Sequence, residues 1–232
     1  MQRLKIALCA VVGSAAFGAT AMAQDDGPTV AFNVGATTDY LFRGLSQNGF
    51  DPAAFAGADV SKGIVYGGVW SSGVGFADAE VDLYAGVKPA VGPVTFDFGA
   101  IYYGYVKERV PGQAAYWEGK AAATVAAGPG AVGAAIYYSP EFFGETGKAT
   151  YYELNAAFPV RKATFSAAVG QQSLKSQYYG VKDYATWNAG VTYPVTDAVS
   201  LDVRYVATDK DAVVAGAGSA ADKFVATLKA TF

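Results

Sequence analysis

The sequence contains no histidine and a single cysteine, Cys9, among its 232 residues. A chain without an imidazole cannot carry a Ser/His or Asp/His hydrolase site. One cysteine supports neither a disulfide framework nor a Cys/His zinc site, so we expect no metal and no cofactor. A carboxylate pair could still act on a glycosidic bond. The acidic residues fit a solvated wall more simply, and we expect no enzymatic activity.

Basic clusters and linkers are also missing. The 17 Lys and Arg residues are spread among 20 Asp and Glu residues, which gives a net charge of −3. Because a polyanion needs a basic patch, we exclude nucleic acid as a partner. No Pro-rich, Ser-rich or like-charged block interrupts the chain, which favours a single domain.

The N-terminal segment has the layout of a secretory signal peptide. Arg3 and Lys5 precede an apolar stretch, and an A-x-A cleavage pattern ends at Ala23. The charge-free run is nearly long enough for a transmembrane anchor, but its small residues and the cleavage pattern favour export. We therefore predict a signal peptide over residues 1–23 and a mature domain over residues 24–232. Loss of Arg3 and Lys5 changes the net charge from −3 to −5.

Segments of about ten residues follow one another through the mature sequence, alternating apolar with polar or small residues. The clearest runs from Ala79 to Val87, where every second residue is apolar. Period two is typical of β-strands, and no comparable stretch shows helical spacing. The twelve predicted segments are Val30–Phe42, Ala54–Val60, Ile64–Trp70, Ala79–Val87, Val94–Tyr103, Ala115–Thr124, Val132–Tyr138, Lys148–Phe158, Val160–Val169, Asp183–Val191, Val199–Tyr205 and Phe224–Phe232.

The connections alternate between short turns and mostly longer loops, which predicts an up-and-down meander. Its apolar faces could meet a second sheet in a soluble exported sandwich, or lipid in a membrane barrel. Most segments have the 9–11 residues of a tilted membrane strand, rather than the five or six of a sandwich strand. We therefore predict an all-β, up-and-down antiparallel transmembrane β-barrel of about twelve strands. Its short turns would face the periplasm and its longer loops the exterior.

Aromatic residues gather near the segment ends, as in the two girdles of a membrane barrel. Those toward the long loops are Tyr40, Phe42, Tyr102, Tyr103, Tyr137, Tyr138, Tyr151 and Tyr152. Those toward the short turns are Phe32, Phe96, Phe158, Tyr193 and Phe232. The last segment is apolar at alternate positions and ends in Phe232. This ending resembles the assembly signal of bacterial outer-membrane barrels, which implies the barrel assembly machinery as a partner.

The stretch "DYLFRGLSQ", residues 39–47, follows soon after the predicted mature N-terminus. It resembles the start of the TorF family of porins, Gcw_chp-type outer-membrane proteins of Gram-negative bacteria. The chain length, the Gly/Ala/Tyr-rich strands and the terminal Phe also match. The resemblance implies an outer-membrane barrel with a role in passive transport. The motif residues, expected near the mouth, are Asp39, Tyr40, Phe42, Arg43, Gly44, Ser46 and Gln47. Asp39 and Arg43 could pair there, or stabilise a turn.

Strand parity assigns ten charged side chains to the lumen. They are Asp78, Glu80, Asp82, Asp97, Glu118, Lys120, Glu153, Asp202, Arg204 and Lys229. Seven acids against three bases predict a weak preference for cations, although some of them could simply pair across strands. Twelve strands give a backbone cylinder roughly 24 Å across. Small inward residues such as Gly86, Gly99, Ala122 and Gly190 would leave room for water.

These observations predict a porin-like channel in the outer membrane of a Gram-negative bacterium. It would be surrounded by lipid and would pass ions or small polar solutes by passive diffusion. The alternative is a non-conducting barrel whose extracellular loops bind a partner or a surface.

Overall fold

The structure is a computed structural model. It describes residues 27–109, 113–175, 183–209, 213–214, 218–219 and 222–232. The predicted signal peptide lies outside the described residues. Among the described residues, no helix is long and apolar enough to cross a membrane. Within these ranges the one helical segment is the 3-10 turn Phe143–Glu145.

Twelve strands form a closed antiparallel barrel in which each strand pairs with its neighbours in sequence. The first and last strands close the ring, with Asn33 opposite Thr231. The strands are β1 (Thr29–Thr37), β2 (Ala53–Lys62), β3 (Val65–Val74), β4 (Ala77–Val87), β5 (Val94–Val106), β6 (Tyr116–Ala127), β7 (Gly130–Ser139), β8 (Ala149–Val160), β9 (Ala163–Leu174), β10 (Tyr184–Pro194), β11 (Val199–Thr208) and β12 (Asp222–Thr231). The predicted fold class is confirmed, and the sandwich alternative is wrong because the strands close into one ring.

Short turns join alternate pairs of strands at one end of the barrel. Gly63 and Gly128 adopt φ values of 58° and 59° there, which glycine reaches without steric penalty. Longer loops lie at the other end, with one exception. Between β3 and β4 the chain turns over Gly75 and Phe76 alone.

The outward faces of the strands form a continuous apolar belt. Leu83 is 51% exposed, Leu154 62% and Phe224 71%. A protein surrounded by water rarely exposes apolar side chains over such an area, whereas the lipid-facing side of a membrane barrel requires them. The belt therefore matches hydrocarbon as the outer solvent of the strands.

The predicted outer aromatic girdle is only partly correct. Tyr102, Tyr138 and Tyr152 face outward as expected. The other residues assigned to it lie inside the barrel. Tyr103, Tyr137 and Tyr151 do so because adjacent residues of a strand point to opposite faces. Tyr40 and Phe42 do so because the loop after β1 folds inward.

The hydrophobic core lies within the barrel, toward the long loops. Wall residues such as Phe55, Trp70 and Tyr184 pack there with Leu45 of the first loop and Phe143 of the loop between β7 and β8. This half of the lumen is filled with side chains, a feature that the sequence patterns did not predict.

The first strand is shorter than predicted. β1 ends at Thr37, and the pairs Leu41–Phe42 and Leu45–Ser46 form a separate two-stranded hairpin. Arg43 and Gly44 make its turn, with φ values of 49° and 80°. Positive φ at both central residues is the geometry of the tightest β-hairpins. We call residues Asp39–Gln47 the lumen hairpin.

Candidate functional site

The lumen hairpin crosses the inside of the barrel. It starts from the connection between β1 and β2, and in a ring of twelve strands β7 lies opposite β1. Its tip, Arg43, contacts Glu118 of β6 and Gln172 of β9. The loop therefore folds inward and reaches the far wall.

Arg43 is held at this wall by a network of charged and polar groups. Its Nη1 and Nη2 donate to the two carboxylate oxygens of Glu118 at 2.8 and 2.6 Å. Nη1 also donates to Oε1 of Gln172 at 3.0 Å. All three side chains are buried, with Glu118 and Gln172 each only 1% exposed. A bidentate, desolvated arginine–carboxylate pair is among the strongest polar contacts in proteins.

Three aromatic rings surround the same guanidinium. Its central carbon lies 4.4 Å from the ring centroid of Tyr151, 4.6 Å from Phe42 and 5.0 Å from Tyr137. Each ring face attracts the cation, with roughly 2 kcal/mol available when water is excluded. Burial lowers the pKa of Arg43, but the Glu118 carboxylate raises it by more, so the side chain stays charged.

The base of the lumen hairpin is fixed by separate contacts. Ser46 donates its hydroxyl to Asp39 at 2.7 Å, and Lys223 of β12 lies 3.2 Å from the same carboxylate. The hydroxyl of Tyr40 donates to Glu80 at 2.6 Å. Burial first, and then the Glu80 charge, raise the pKa of Tyr40 well above its usual value. Its hydroxyl therefore keeps the proton that it donates.

Two further positions, Gly44 and Gln47, explain the spacing of the motif. A side chain at Gly44 would collide with the methyl group of Thr208, so only glycine fits there. The carbonyl of Gln47 accepts a bond from the Gly75 amide at 2.8 Å, which ties the hairpin to the β3–β4 connection. Of the two alternatives for Asp39 and Arg43, pairing with each other is wrong, because each residue binds a different strand of the wall.

A second insertion completes the filling of the outer lumen. Phe142 packs on Tyr116 with ring centroids 4.7 Å apart, and Phe143 packs on Phe76 at 5.1 Å. A cavity of about 30 Å³ remains between these rings, the lumen hairpin and Gln172. This volume holds roughly two water molecules.

Among the described residues, four acidic side chains of the wall strands lie near the lumen hairpin, and one of them, Glu118, pairs with Arg43. Glu80 is held by the neutral hydroxyl of Tyr40, and Glu153 by the amide of Asn155 at 2.8 Å. Both carboxylate oxygens of Asp82 are buried without a hydrogen-bond partner among the described residues. Acidic side chains without an ion pair among the described residues therefore lie around the lumen hairpin.

The charged residues of the other half form compensated networks. Lys120 lies 2.7 Å from Asp97, which also accepts a bond from Tyr66. Arg204 pairs with Asp202 at 3.1 Å on the same strand. It also donates to Asn188 and to Ser166. Lys229 has the same inward parity on β12 and is half-buried.

Asp78 differs from the other predicted lumen residues because it lies exposed at the rim of β4. It pairs with Arg109 at 2.7 Å and with Lys107 at 3.2 Å. The role of all ten residues in conduction stays a prediction.

The small inward residues do not leave the space that we expected. Added Cβ atoms at Gly86 and Gly99 would lie 2.6 and 2.7 Å from the Tyr66 hydroxyl. The ring of Tyr66 therefore occupies the volume that we assigned to water.

The sequence patterns do not identify most of the side chains that bind the guanidinium of Arg43. Gln172, Tyr137 and Tyr151 have inward parity, but nothing in the sequence indicates which of the many inward polar residues a first-loop cation reaches. Phe142 and Phe143 were assigned to an outer loop. Their adjacent aromatic rings were the one available signal that this loop packs against something.

The sequence also matches the model of a known protein family. The model of the family Gcw_chp, described as a bacterial protein of unknown function, matches residues 21–232. The chain belongs to the Gcw_chp family. The match covers the whole barrel and includes the lumen hairpin of this Gcw_chp protein. The narrower assignment to TorF stays a prediction. No curated protein sequence matches the chain significantly.

Several solved structures are similar to this Gcw_chp chain at low sequence identity. A NanC porin structure superposes with a TM-score of 0.59 and 11% identity, over 88% of this chain and 99% of that chain. Pseudomonas aeruginosa OpdL has a TM-score of 0.45 and 12% identity, over 88% of this chain and 67% of that chain. A loop-deletion mutant of OmpT from Vibrio cholerae has a TM-score of 0.48 and 10% identity, over 89% of this chain and 99% of that chain. The fold is that of an outer-membrane porin.

Proposed function

We propose that this protein is a TorF-type channel of the Gram-negative outer membrane, passing ions or small polar solutes by passive diffusion under control of the lumen hairpin. One observation carries the proposal. A closed barrel with an apolar outer belt encloses a lumen lined with charged side chains. Hydrocarbon outside and polar groups inside are the properties of a water-filled pore through a membrane.

Conduction is best tested with purified protein in planar lipid bilayers. Because the lumen hairpin and the Phe142–Phe143 pair fill the outer half, we expect small or infrequent conductance steps from the natural sequence. A variant with a weakened hairpin, Arg43→Ala, should conduct more often. Absence of conductance from both proteins, each shown to be folded by heat-modifiable migration on gels, would contradict the channel proposal.

We further propose a weak preference for cations. Glu80 and Asp82 lie near the hairpin with a neutral partner or none among the described residues, whereas Lys120 and Arg204 pair with Asp97 and Asp202. Uncompensated carboxylates beside a narrow path attract cations and repel anions.

The reversal potential in a salt gradient measures this preference. The double variant Glu80→Gln/Asp82→Asn should shift it toward zero, while Asp78→Asn serves as a matched control at the exposed rim. An unchanged reversal potential in the double variant would contradict the assignment of these two carboxylates to the conduction path.

The filled outer lumen favours a second candidate, a non-conducting barrel whose outer loops bind a partner or a surface. The two candidates differ in the bilayer experiment, since only a channel responds to Arg43→Ala. For both candidates we expect that a signal peptide directs export and that lipid surrounds the apolar belt. We also expect that the protein has no enzymatic activity and does not bind nucleic acid. We also expect the assembly machinery to recognise the last strand, whose Phe232 is 70% exposed beside the closing pair of strands.

A further inference from the structure

Arg43 is bound by the barrel wall in the way that a ligand is bound by a receptor. Four side chains from four consecutive strands meet its guanidinium: Glu118 of β6, Tyr137 of β7, Tyr151 of β8 and Gln172 of β9. We call these four residues the wall pocket. None of them belongs to the lumen hairpin, so the pocket and its occupant are joined only through the barrel.

The wall pocket has its own internal supports. The hydroxyl of Tyr103 donates to Oε2 of Glu118 at 3.2 Å. The amide nitrogen of Gln172 donates to the carbonyl of Thr150 at 3.3 Å, which leaves its oxygen turned toward the guanidinium. Because these contacts do not involve Arg43, the acceptor groups stay in position when the arginine is removed. A preorganised site loses less entropy when it binds a ligand.

The chemistry of the wall pocket selects a planar cation. A carboxylate that accepts two parallel N–H bonds matches the fork of a guanidinium, and the flanking aromatic faces match its flat, weakly hydrated surface. An ammonium is a compact, strongly hydrated charge that cannot make the bidentate contact. An uncharged urea group has a similar shape but lacks the charge that the buried Glu118 needs.

We propose that the wall pocket is a binding site for small solutes that carry a guanidinium group, with Arg43 as its tethered occupant. A free guanidinium solute and Arg43 compete for the same four side chains. The transport role of this site rests on the proposed channel function. The binding itself does not, since it is measurable in detergent micelles without conduction.

The test uses the purified Arg43→Ala variant and the probe N-propylguanidinium, which reproduces the end of an arginine side chain. Titration against the thermal unfolding midpoint, read from heat-modifiable gel migration, gives an apparent Kd, because a ligand of the folded state stabilises it. We expect a saturable increase in the midpoint. N-propylammonium should bind about tenfold more weakly, since it loses one charge-assisted hydrogen bond. N-propylurea should have no effect.

Two control proteins locate the binding. The natural sequence should need a much higher concentration of N-propylguanidinium for the same increase, because the tethered Arg43 competes for the pocket. The variant Arg43→Ala/Glu118→Gln, which lacks the charge, should not respond. An equal response to all three probes, or the same response in the double variant, would overturn the proposal. Should Arg43→Ala fail to refold alone, refolding yield with each probe becomes the readout. Rescue by N-propylguanidinium but not by N-propylurea supports the site, and rescue by neither probe overturns it.

Failure of this site and failure of the channel are distinguishable. A conducting protein whose Arg43→Ala variant ignores N-propylguanidinium retains the proposed function and loses this inference. A non-conducting barrel whose Arg43→Ala variant binds N-propylguanidinium retains this inference and loses the proposed channel function.

Discussion

The anchoring of the lumen hairpin by Arg43 makes the most specific prediction about function. Replacement by alanine removes two bonds to Glu118, one bond to Gln172 and three ring contacts. It also leaves the carboxylate of Glu118 buried without its cation. Removing one partner of a buried pair costs about 3–5 kcal/mol. Withdrawal of the hairpin would let water reach this carboxylate, so the variant favours the withdrawn state.

The size of the effect follows from that energy. About 1.4 kcal/mol changes an equilibrium tenfold, so 3–5 kcal/mol changes the ratio of withdrawn to seated hairpin by at least about a hundredfold. Single-channel recording in planar bilayers should show this change as a rise in open probability. The open probability of the Arg43→Lys variant should lie between those of the natural sequence and Arg43→Ala. Lysine keeps the charge but loses the bidentate geometry.

Arg109 offers a matched control. It pairs with Asp78 at 2.7 Å, a distance as short as those of Arg43, but both side chains are about half exposed. Exposed pairs contribute about 0–1 kcal/mol, so Arg109→Ala should leave the open probability unchanged. Equal open probabilities for the natural sequence and folded Arg43→Ala would refute the anchoring role of the buried pair.

The two faces of the barrel wall make further predictions, each with a matched control and each measured by unfolding in urea with lipid vesicles. Gly86→Ala places a Cβ 2.5 Å from the Phe98 carbonyl and should destabilise by about 1–3 kcal/mol. Gly73→Ala, with nothing within 4 Å, should be nearly neutral. Leu83→Arg in the belt should lower the free energy of unfolding by about 2–4 kcal/mol. Val195→Arg, which is similarly exposed but lies in a short turn, should lower it by about 0–1 kcal/mol. Equal effects within either pair would contradict the assigned faces.

Strand existence and orientation were predictable because each wall strand has a different solvent on each side. Lipid on one face requires apolar residues at every second position, and Ala79 to Val87 shows this period without interruption. Parity then fixes which side chains point inward. This local rule is enough to count twelve strands.

The lumen hairpin was not predictable from the same rule. Tyr40 and Phe42 continue the apolar parity of β1, so the period gives no sign that the strand ends at Thr37. The turn depends on positive φ at Arg43, which an arginine adopts only when its surroundings compensate the strain. Those surroundings come from four strands on the far wall, and pairing across a closed ring leaves no trace in local sequence.

The charge prediction was limited for a related reason. Parity placed Asp97 and Asp202 inward, but it could not show that Lys120 and Arg204 neutralise them. Partner choice depends on register between strands and on side-chain reach. The acidic side chains without an ion pair among the described residues are consequently found around the lumen hairpin, as Glu80 and Asp82 are.

Thiol accessibility tests most directly whether the first loop lies inside the barrel. The predicted mature chain has no cysteine, so a single introduced thiol is the only reactive group. Leu45→Cys lies at a position that is 4% exposed, while Asp51→Cys lies exposed on the same loop. With a membrane-impermeant thiol reagent added from outside, Asp51→Cys should react rapidly and Leu45→Cys at least tenfold more slowly. Equal labelling rates would contradict a hairpin folded into the lumen.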